Sequence, residues 1–407
     1  MSRSSWVAES LAAFRRGAVD LLEERELVQA LERAQRDRRG LRLKFGMDPS
    51  SADLHVGHAV VLLKLRDLQR LGHTIVLIVG DATAMVGDPS GRNKLRPQLT
   101  REEVNANLAT YTTQAGIVLD MGKTEVRRNS EWFDALRFED LLRLLGRRTV
   151  AQTLAREDFQ KRLASDTPIG LHELVYPLMQ GWDSVQVRAD VEFGGTDQLF
   201  NLLVGRDLQA QCGQVPQVVL TTPLINGLDG RKMSKSYGNA IGLTDSPTEV
   251  FGKTMSLVDE AMPVWFELLT RIPDEERATL LAGHPREAKA RLAAELVRLL
   301  HGDAAAAQAR ADLDRQFVSK ELPSDIPVVA WPVSGAHSAG LQSLLVLLGF
   351  SATSSDARRL IQQGGVKLDG QVVQDPAHNV RATDAHLIQV GKRRFARLAG
   401  QSRPSGA

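Results

Sequence analysis

The chain has 407 residues, 43% apolar and 25% charged, a balance that excludes a disordered, collagen-like or coiled-coil protein and predicts two or three domains. Lys and Arg number 51 against 49 Asp and Glu, so the net charge is +2 and any basic surface for a nucleic acid must be local. The single Cys212 excludes intramolecular disulfides and a cysteine-based zinc site and fits a reducing, cytoplasmic compartment. No apolar run is long enough to span a membrane, and the N-terminus lacks the apolar core of a signal peptide.

Residues 1–40 carry apolar and charged residues at helical spacing and predict an N-terminal helical segment. From Leu41, LRLKFG reads as a short buried strand, followed by a loop rich in Pro, Ser, Asp and Gly. A helix over 56–70 and a second buried strand, TIVLIVG, over 74–80 complete a βαβ unit of a parallel sheet, whose ligands gather at the strand C-terminal ends. Thr100 and Glu103 form a capping box for a helix running to about Gln114, and TEVRRN reads as a third strand. A mostly helical insertion over about 130–180 follows, then the strand ADVEFGG and another over 217–225, so the α/β domain spans 41–225. Residues 226–322 open with the exposed loop GLDGRKMSKSYGN and continue in strong helix formers, which predicts a separate α-helical domain. Pro323, Pro327 and Pro332 mark a linker over 323–337. The last part, 338–400, predicts a small α+β module in which Arg358, Arg359, Lys367, Arg381, Lys392, Arg393, Arg394 and Arg397 face only Asp356, Asp369, Asp375 and Asp384. There lies the local basic surface.

No G-x-x-x-x-G-K-[ST] loop and no G-x-G-x-x-G after a strand is present, so neither a Walker ATPase nor a dinucleotide oxidoreductase is supported. The first strand leads instead into Asp53-Leu54-His55-Val56-Gly57-His58 at the opening of a helix. A helix N-terminus favours anions, imidazole N–H groups can donate to a phosphate, and a glycine lets a flat base or ribose approach. The same residues read as two solvent histidines, or as half of a zinc site whose other ligands the sequence does not show. The second constellation is Lys232-Met233-Ser234-Lys235-Ser236, two cations and two hydroxyls without a carboxylate, which has the composition of a polyphosphate clamp or of a solvated basic turn. Both motifs follow strands of one parallel sheet in a fixed order, and their conjunction is far more specific than either alone.

With HVGH and KMSKS in this order, the sequence resembles the class I aminoacyl-tRNA synthetases, and within them the tyrosyl-tRNA synthetase family. LKFGMDPSSADLHVGH, VGDATAMVGDPSGR, YPLMQGWDSVQVRADVEFGGTDQLFNLLVGRDLQ and LDGRKMSKSYGN carry the resemblance over most of residues 40–240. SSDARRLIQQGGVKLDGQVVQDP resembles the S-four RNA-binding module of bacterial tyrosyl enzymes. The resemblance implies a Rossmann-like catalytic domain, ATP as substrate with Mg2+ as its counter-ion, no structural metal, tyrosine and tRNA(Tyr) as partners, and a homodimer formed through the helical insertion. It puts the tyrosine ammonium on Asp88, Tyr176 and Gln180, the phenolic hydroxyl on Asp183, and the substrate carboxyl group near Gln198. Tyr176, Gln180 and Asp183 share one helix face at i, i+4 and i+7. ATP falls to Asp48, Gly57, Gly195, Asp197, Met233, Ser234 and Ser236, with His55, His58, Lys232 and Lys235 as donors to the developing phosphate charge. Arg92 and Arg96 belong to a mobile loop, and Arg358, Arg359, Lys367, Lys392, Arg393 and Arg394 to the tRNA surface. One departure stands out, since many tyrosyl enzymes place a tyrosine where this chain has Lys44, and the contribution of Lys44 is left open. Two other readings keep part of this pattern. A synthetase-derived RNA-binding protein without catalysis retains the fold and the C-terminal module, whereas a tryptophanyl-type enzyme or another small nucleotidyltransferase retains the H-x-G-H core.

Overall fold

The computed structural model describes residues 3–49, 53–90, 99–234, 237–318, 326–333, 337–382, 385–391 and 394–399. These fall into two compact units, one within residues 1–307 and one within 308–407.

The first unit is organised by a six-stranded sheet, β1 (Leu21–Leu22), β2 (Arg42–Met47), β3 (Thr74–Val79), β4 (Thr124–Arg128), β5 (Val191–Gly195) and β6 (Val218–Thr222), in the order β1-β6-β5-β2-β3-β4. All neighbours are parallel except β1, which runs antiparallel to β6 with Leu21 opposite Leu220. Ile75 to Val79 are all buried because helices cover both faces, which is why the central strands read as continuous apolar runs. The segment 1–40, expected to be helical, forms α1 (Arg3–Arg15) and α2 (Glu24–Arg36), but it also supplies β1.

Helix α3 (Val56–Arg70) crosses from β2 to β3, and α4 (Asp81–Val86) and α5 (Arg101–Ala115) lead to β4. The capping box at α5 forms as its sequence predicts: Glu103 N–H donates to Thr100 Oγ1 at 3.2 Å and Thr100 N–H donates to Glu103 Oε2 at 2.8 Å. The insertion holds α6 (Ser130–Phe133), α7 (Phe138–Leu145), α8 (Val150–Leu154), α9 (Glu157–Ala164) and α10 (Leu171–Val187), and α11 (Leu199–Gln211) joins β5 to β6. Glycines bring α10 and α11 together: a Cβ at Gly181 would lie 2.9 Å from Leu208 Cδ1 and 3.1 Å from Gly205 N.

The helices α12 (Pro247–Thr254), α13 (Met262–Leu269), α14 (Asp274–Ala282) and α15 (Pro285–His301) belong to this same unit, not to a domain of their own. The apolar side of α13 explains the difference, since Trp265 and Phe266 are fully buried and need cover. Trp265 Nε1–H donates to the Asn226 carbonyl at 3.1 Å, and just beyond α13 Arg271 pairs with Asp67 of α3 at 2.6 Å. Helix α16 (Asp303–Val318) follows.

The second unit contains β7 (Val328–Val329), β8 (Ser338–Gly340), α17 (Leu341–Leu347), α18 (Ser354–Gln362), β9 (Val366–Leu368), β10 (Gln371–Val373), β11 (Asn379–Arg381), β12 (His386–Val390) and β13 (Arg394–Leu398). Its main sheet has the order β10-β9-β12-β13-β7, with β8 and β11 forming a separate pair. Leu341, Leu344, Leu345, Ile361, Val366, Ile388 and Leu398 form its core. The stretch expected as a proline-marked linker contributes here: Arg397 N–H donates to the Pro327 carbonyl and Ala399 N–H to the Val329 carbonyl, both at 2.9 Å, and Trp331 joins the core. Arg358, Arg359, Lys367 and Arg394 are exposed on this unit, while Lys392 and Arg393 lie outside the described residues. Among the described residues, no helix is long and apolar enough to cross a membrane.

Candidate active site

The site is built at the C-terminal ends of β2, β3 and β5, where a twisted parallel sheet leaves room for a ligand. Asp48, just past β2, accepts from Thr83 Oγ1 at 2.7 Å and from Tyr176 Oη at 2.8 Å. Burial, followed by the nearby Asp48 and Asp88 carboxylates, pushes the Tyr176 phenol well above its ordinary value, so it remains a hydrogen-bond donor. Asn129 Nδ2 donates to Thr83 Oγ1 at 3.0 Å and to Asp183 Oδ2 at 3.3 Å, and Trp132 Nε1–H donates to Asp183 Oδ1 at 2.9 Å. One hydrogen-bonded chain thus runs from Tyr176 through Asp48, Thr83 and Asn129 to Asp183. Burial pushes the Asp183 carboxyl up to about 7, opposed first by the Lys44 ammonium and then by the Trp132 and Asn129 donors.

Asp88 lies beside Gln198, accepting from Gln198 Nε2 at 2.8 Å and from Ser90 N–H at 2.8 Å. Nothing in the local pattern marks Arg156 as a site residue. Its guanidinium is almost wholly buried, lies 3.7 Å from Asp88, and donates to Ser90 Oγ and to Asn201 Oδ1. Asn201 Nδ2 in turn donates to Gln198 Oε1 at 3.0 Å, which fixes the orientation of the Gln198 amide. Gln180, expected to serve the ammonium, has its side-chain amide on Glu192 at 3.2 Å.

His55 caps α3: Gly57 N–H donates to His55 Nδ1 at 3.1 Å and His55 N–H donates to His58 Nδ1 at 3.2 Å. With both Nδ1 atoms accepting, each neutral ring carries its proton on Nε2, the polarity a phosphate oxygen requires. The two ring centroids are 4.1 Å apart. Gly57 makes this arrangement possible, because a Cβ there would lie 2.8 Å from His55 Cε1 and 3.4 Å from Met233 Sδ. The KMSKS loop therefore reaches the HVGH segment through buried Met233. The chain just beyond the loop is also bonded to that segment, with Val56 N–H on the Ile241 carbonyl at 2.9 Å and Leu243 N–H on the Leu54 carbonyl at 3.0 Å.

Asn239 braces the loop from within, donating to Asp229 Oδ1 at 2.8 Å and to the Lys232 carbonyl at 3.1 Å while accepting from Ser234 N–H at 2.8 Å. Hydrogen bonds from Asn239 and Arg231 hold the Asp229 carboxyl down at about 2. Lys232 is exposed. Burial, then Asp88, pushes the Asp197 carboxyl up, with Lys232 the first opposing charge. A Cβ at Gly195 would lie 2.6 Å from Asp197 Oδ1, so that glycine gives the carboxylate its place. Lys235, Ser236, Arg92 and Arg96 lie outside the described residues. Among the described residues, no group of three or more His, Cys, Asp or Glu side chains is arranged to hold a metal ion.

Paired histidines opening a helix after the first core strand, with a lysine-bearing loop packed beside them, define a class: residues 36–318 match the family described as tRNA synthetases class I (W and Y), and residues 340–386 match the S4 domain. The chain is 46% identical over 399 residues to the tyrosine–tRNA ligase of Thermotoga maritima, covering 96% of this chain and 98% of that protein. It is 48% identical over 392 residues to that of Acidithiobacillus ferrooxidans, covering 95% and 96%. The chain belongs to the tyrosine–tRNA ligase family. Tyrosyl-tRNA synthetase from Archaeoglobus fulgidus complexed with L-tyrosine superimposes with a TM-score of 0.61 at 25% identity, covering 75% of this chain and 99% of that one. A C-terminally truncated mitochondrial tyrosyl-tRNA synthetase from Aspergillus nidulans shares the fold at a TM-score of 0.64 and 22% identity, covering 77% and 99%.

Proposed function

We propose that this chain attaches tyrosine to tRNA(Tyr) in two steps. The tyrosine carboxylate attacks the α-phosphate of ATP in line and expels pyrophosphate, and the adenylate then passes its acyl group to the terminal ribose hydroxyl of the tRNA. The observation that carries the reading is the junction at the end of β2, where Met233 of KMSKS lies beside Gly57 and the chain just beyond the loop hydrogen-bonds to Leu54 and Val56. Neither step needs a protein nucleophile, so the residues act by positioning and by stabilising charge on phosphorus and on the departing pyrophosphate.

In this reading His55 and His58, through Nε2–H, and Lys232 and Lys235 are those donors, with Arg92 and Arg96 assisting from their loop. Asp88, Tyr176 and Gln180 take the tyrosine ammonium, Gln198 faces the carboxyl group, and Asp183 accepts from the phenolic O–H. Asp48, Gly57, Gly195, Asp197, Met233, Ser234 and Ser236 form the ATP side. Mg2+ accompanies ATP as a counter-ion held mainly through phosphate oxygens. Arg358, Arg359, Lys367, Lys392, Arg393 and Arg394 neutralise tRNA phosphates. A second copy of the chain covers the apolar insertion, where Phe138 and Leu171 are 72% and 83% exposed. The cytoplasm is the compartment that suits this reaction and the lone cysteine.

ATP–pyrophosphate exchange with tyrosine, phenylalanine and tryptophan tests the reading. Exchange with tyrosine alone is expected, because phenylalanine leaves buried Asp183 without its hydroxyl partner, an effect for which tyrosyl enzymes are the usual illustration. Equal exchange with phenylalanine rejects it.

A further inference from the structure

Lys44 stands in β2 with its side chain wholly buried, a costly place for a cation unless it is paired and hydrogen-bonded. Its ammonium meets three acceptors, Glu192 Oε1 of β5 at 2.8 Å and, on α10, Ser184 Oγ and the Gln180 carbonyl, each at 2.7 Å. An ammonium has three donors, and all three are used. Glu192 is held in turn by Ser184 Oγ–H at 2.9 Å, by Gln180 Nε2 and by Gln217 Nε2. This cluster ties β2, β5 and the approach to β6 to residues 180–184 of α10, the turn that bears Asp183.

We propose that Lys44 is a positioning and specificity residue of the tyrosine pocket: it fixes this turn of α10 through Gln180, Ser184 and Glu192, and it supplies the positive charge that faces the Asp183 carboxylate. The proposal rests on the reading of Asp183 as acceptor of the phenolic hydroxyl. Lys44 lies too deep, and is too fully engaged, to be a substrate ligand itself. It acts on the substrate through Asp183, as the counter-charge of a pocket whose other side-chain donors to that carboxylate, Asn129 and Trp132, are neutral.

The titratable groups facing Asp183 are Lys44 on β2, Glu192 on β5 and Tyr176 on its own helix. Of the charges, Lys44 is the larger influence and favours the ionised carboxylate, while Glu192 is the smaller and opposes it. An ionised Asp183 accepts from the phenol, so tyrosine recognition weakens as pH falls through the Asp183 transition. Removing Lys44 moves that transition to higher pH, even when Glu192 is neutralised with it.

The test uses the full chain carrying Lys44→Met and Glu192→Gln together, which removes both charges at nearly constant volume and avoids leaving the Glu192 carboxylate buried without its cation. Tyrosine- and phenylalanine-dependent pyrophosphate exchange is measured across a pH series, with thermal unfolding and the KM for ATP as controls. The expected result is a rise of about tenfold in KM for tyrosine and an upward move of about one pH unit in the acid limb of kcat/KM. The preference for tyrosine over phenylalanine narrows, while kcat at saturating tyrosine and KM for ATP stay within about twofold. A folded double variant with wild-type KM, acid limb and amino-acid preference overturns the proposal. If that variant does not fold, Ser184→Ala withdraws one acceptor from Lys44, and the same split is expected at smaller size. A wild-type profile in Ser184→Ala then overturns it. Wild-type protein inert toward tyrosine rejects the functional reading and the proposal together, whereas an active wild type beside an unchanged variant rejects the proposal alone.

Discussion

Gly80 has φ −80°, a value open to any residue, so alanine at this position tests space and not backbone freedom. The added Cβ would lie 2.0 Å from Asp48 Oδ1 and 2.3 Å from Thr83 Oγ1. Both oxygens must retreat by about 1 Å or more to reach ordinary contact. That stretches the 2.7 Å bond from Thr83 and the 2.8 Å bond from Tyr176 to Asp48. A hydrogen bond to a carboxylate contributes about 1.5 to 3 kcal/mol. Asp48 is only half-buried and recovers part of this from water, leaving a cost on the order of 3 kcal/mol, about a hundredfold in rate if it falls on the transition state. Gly80→Ala is therefore expected to lower tyrosine-dependent pyrophosphate exchange about a hundredfold. Part of the same cost falls on the folded protein, and alanine returns only about 0.4 to 1 kcal/mol of it through the unfolded chain, so the unfolding midpoint is expected to fall as well. Gly252→Ala, in α12 with nothing within 4 Å of the new carbon, shows the effect of substitution without a clash. Exchange by Gly80→Ala equal to that of Gly252→Ala refutes the reasoning.

Lys232→Ala is expected to slow adenylate formation in single turnovers about a hundredfold with tyrosine affinity unchanged, because an exposed ammonium acts on developing phosphate charge; the opposite split makes the loop a tyrosine site. Burial pushes His73 down to about 4, with its Nδ1 accepting from Leu41 N–H at 3.1 Å. A folded value depressed below the unfolded one of 6.5 contributes stability that is complete above 6.5 and lost as pH falls toward 4, about 3 kcal/mol in all. The stability advantage of wild type over His73→Gln is expected to shrink by that amount between neutral and acid denaturation series, and a constant difference refutes it. Ending the chain at Val318 removes β7 together with its sheet, so pyrophosphate exchange is expected to persist while tRNA charging falls and its salt dependence flattens. Unchanged charging at every salt concentration shows that the C-terminal unit is not the tRNA anchor.

Local pattern carried the central strands and the motifs, because a strand covered on both faces is an apolar run, and HVGH and KMSKS each lie within a few residues of sequence. The capping box of α5 was legible for the same reason. Partners across the fold were not. Lys44 reads as an oddity until Glu192, 148 residues away, is seen to face it. Arg156 sits in an unremarkable charged helix start, and only the return of the chain at Ser90 and Asn201 gives it a role. Trp132 and Asn129 follow β4 with nothing local to set them apart, yet they hold Asp183. Strands β1 and β7 are two residues each, too short for any period to register.

The first of these short strands sets a condition on how the chain is made. β1 needs β6, and Leu21 meets Leu220 only after nearly the whole sheet has been synthesised. At about 5 to 20 residues per second, the leading segment leaves the ribosome some tens of seconds, at the slow end, before its partner exists. During that interval α1 can dock on the turn between α3 and β3, through Trp6 on the Leu71 carbonyl and Ser10 on His73, but β1 has no partner, because β5 and β6, which separate β2 from β1 in the finished order, are missing. Closure of the sheet at β1 is thus a late, long-range event, in which an early strand waits for a much later one to give it a partner.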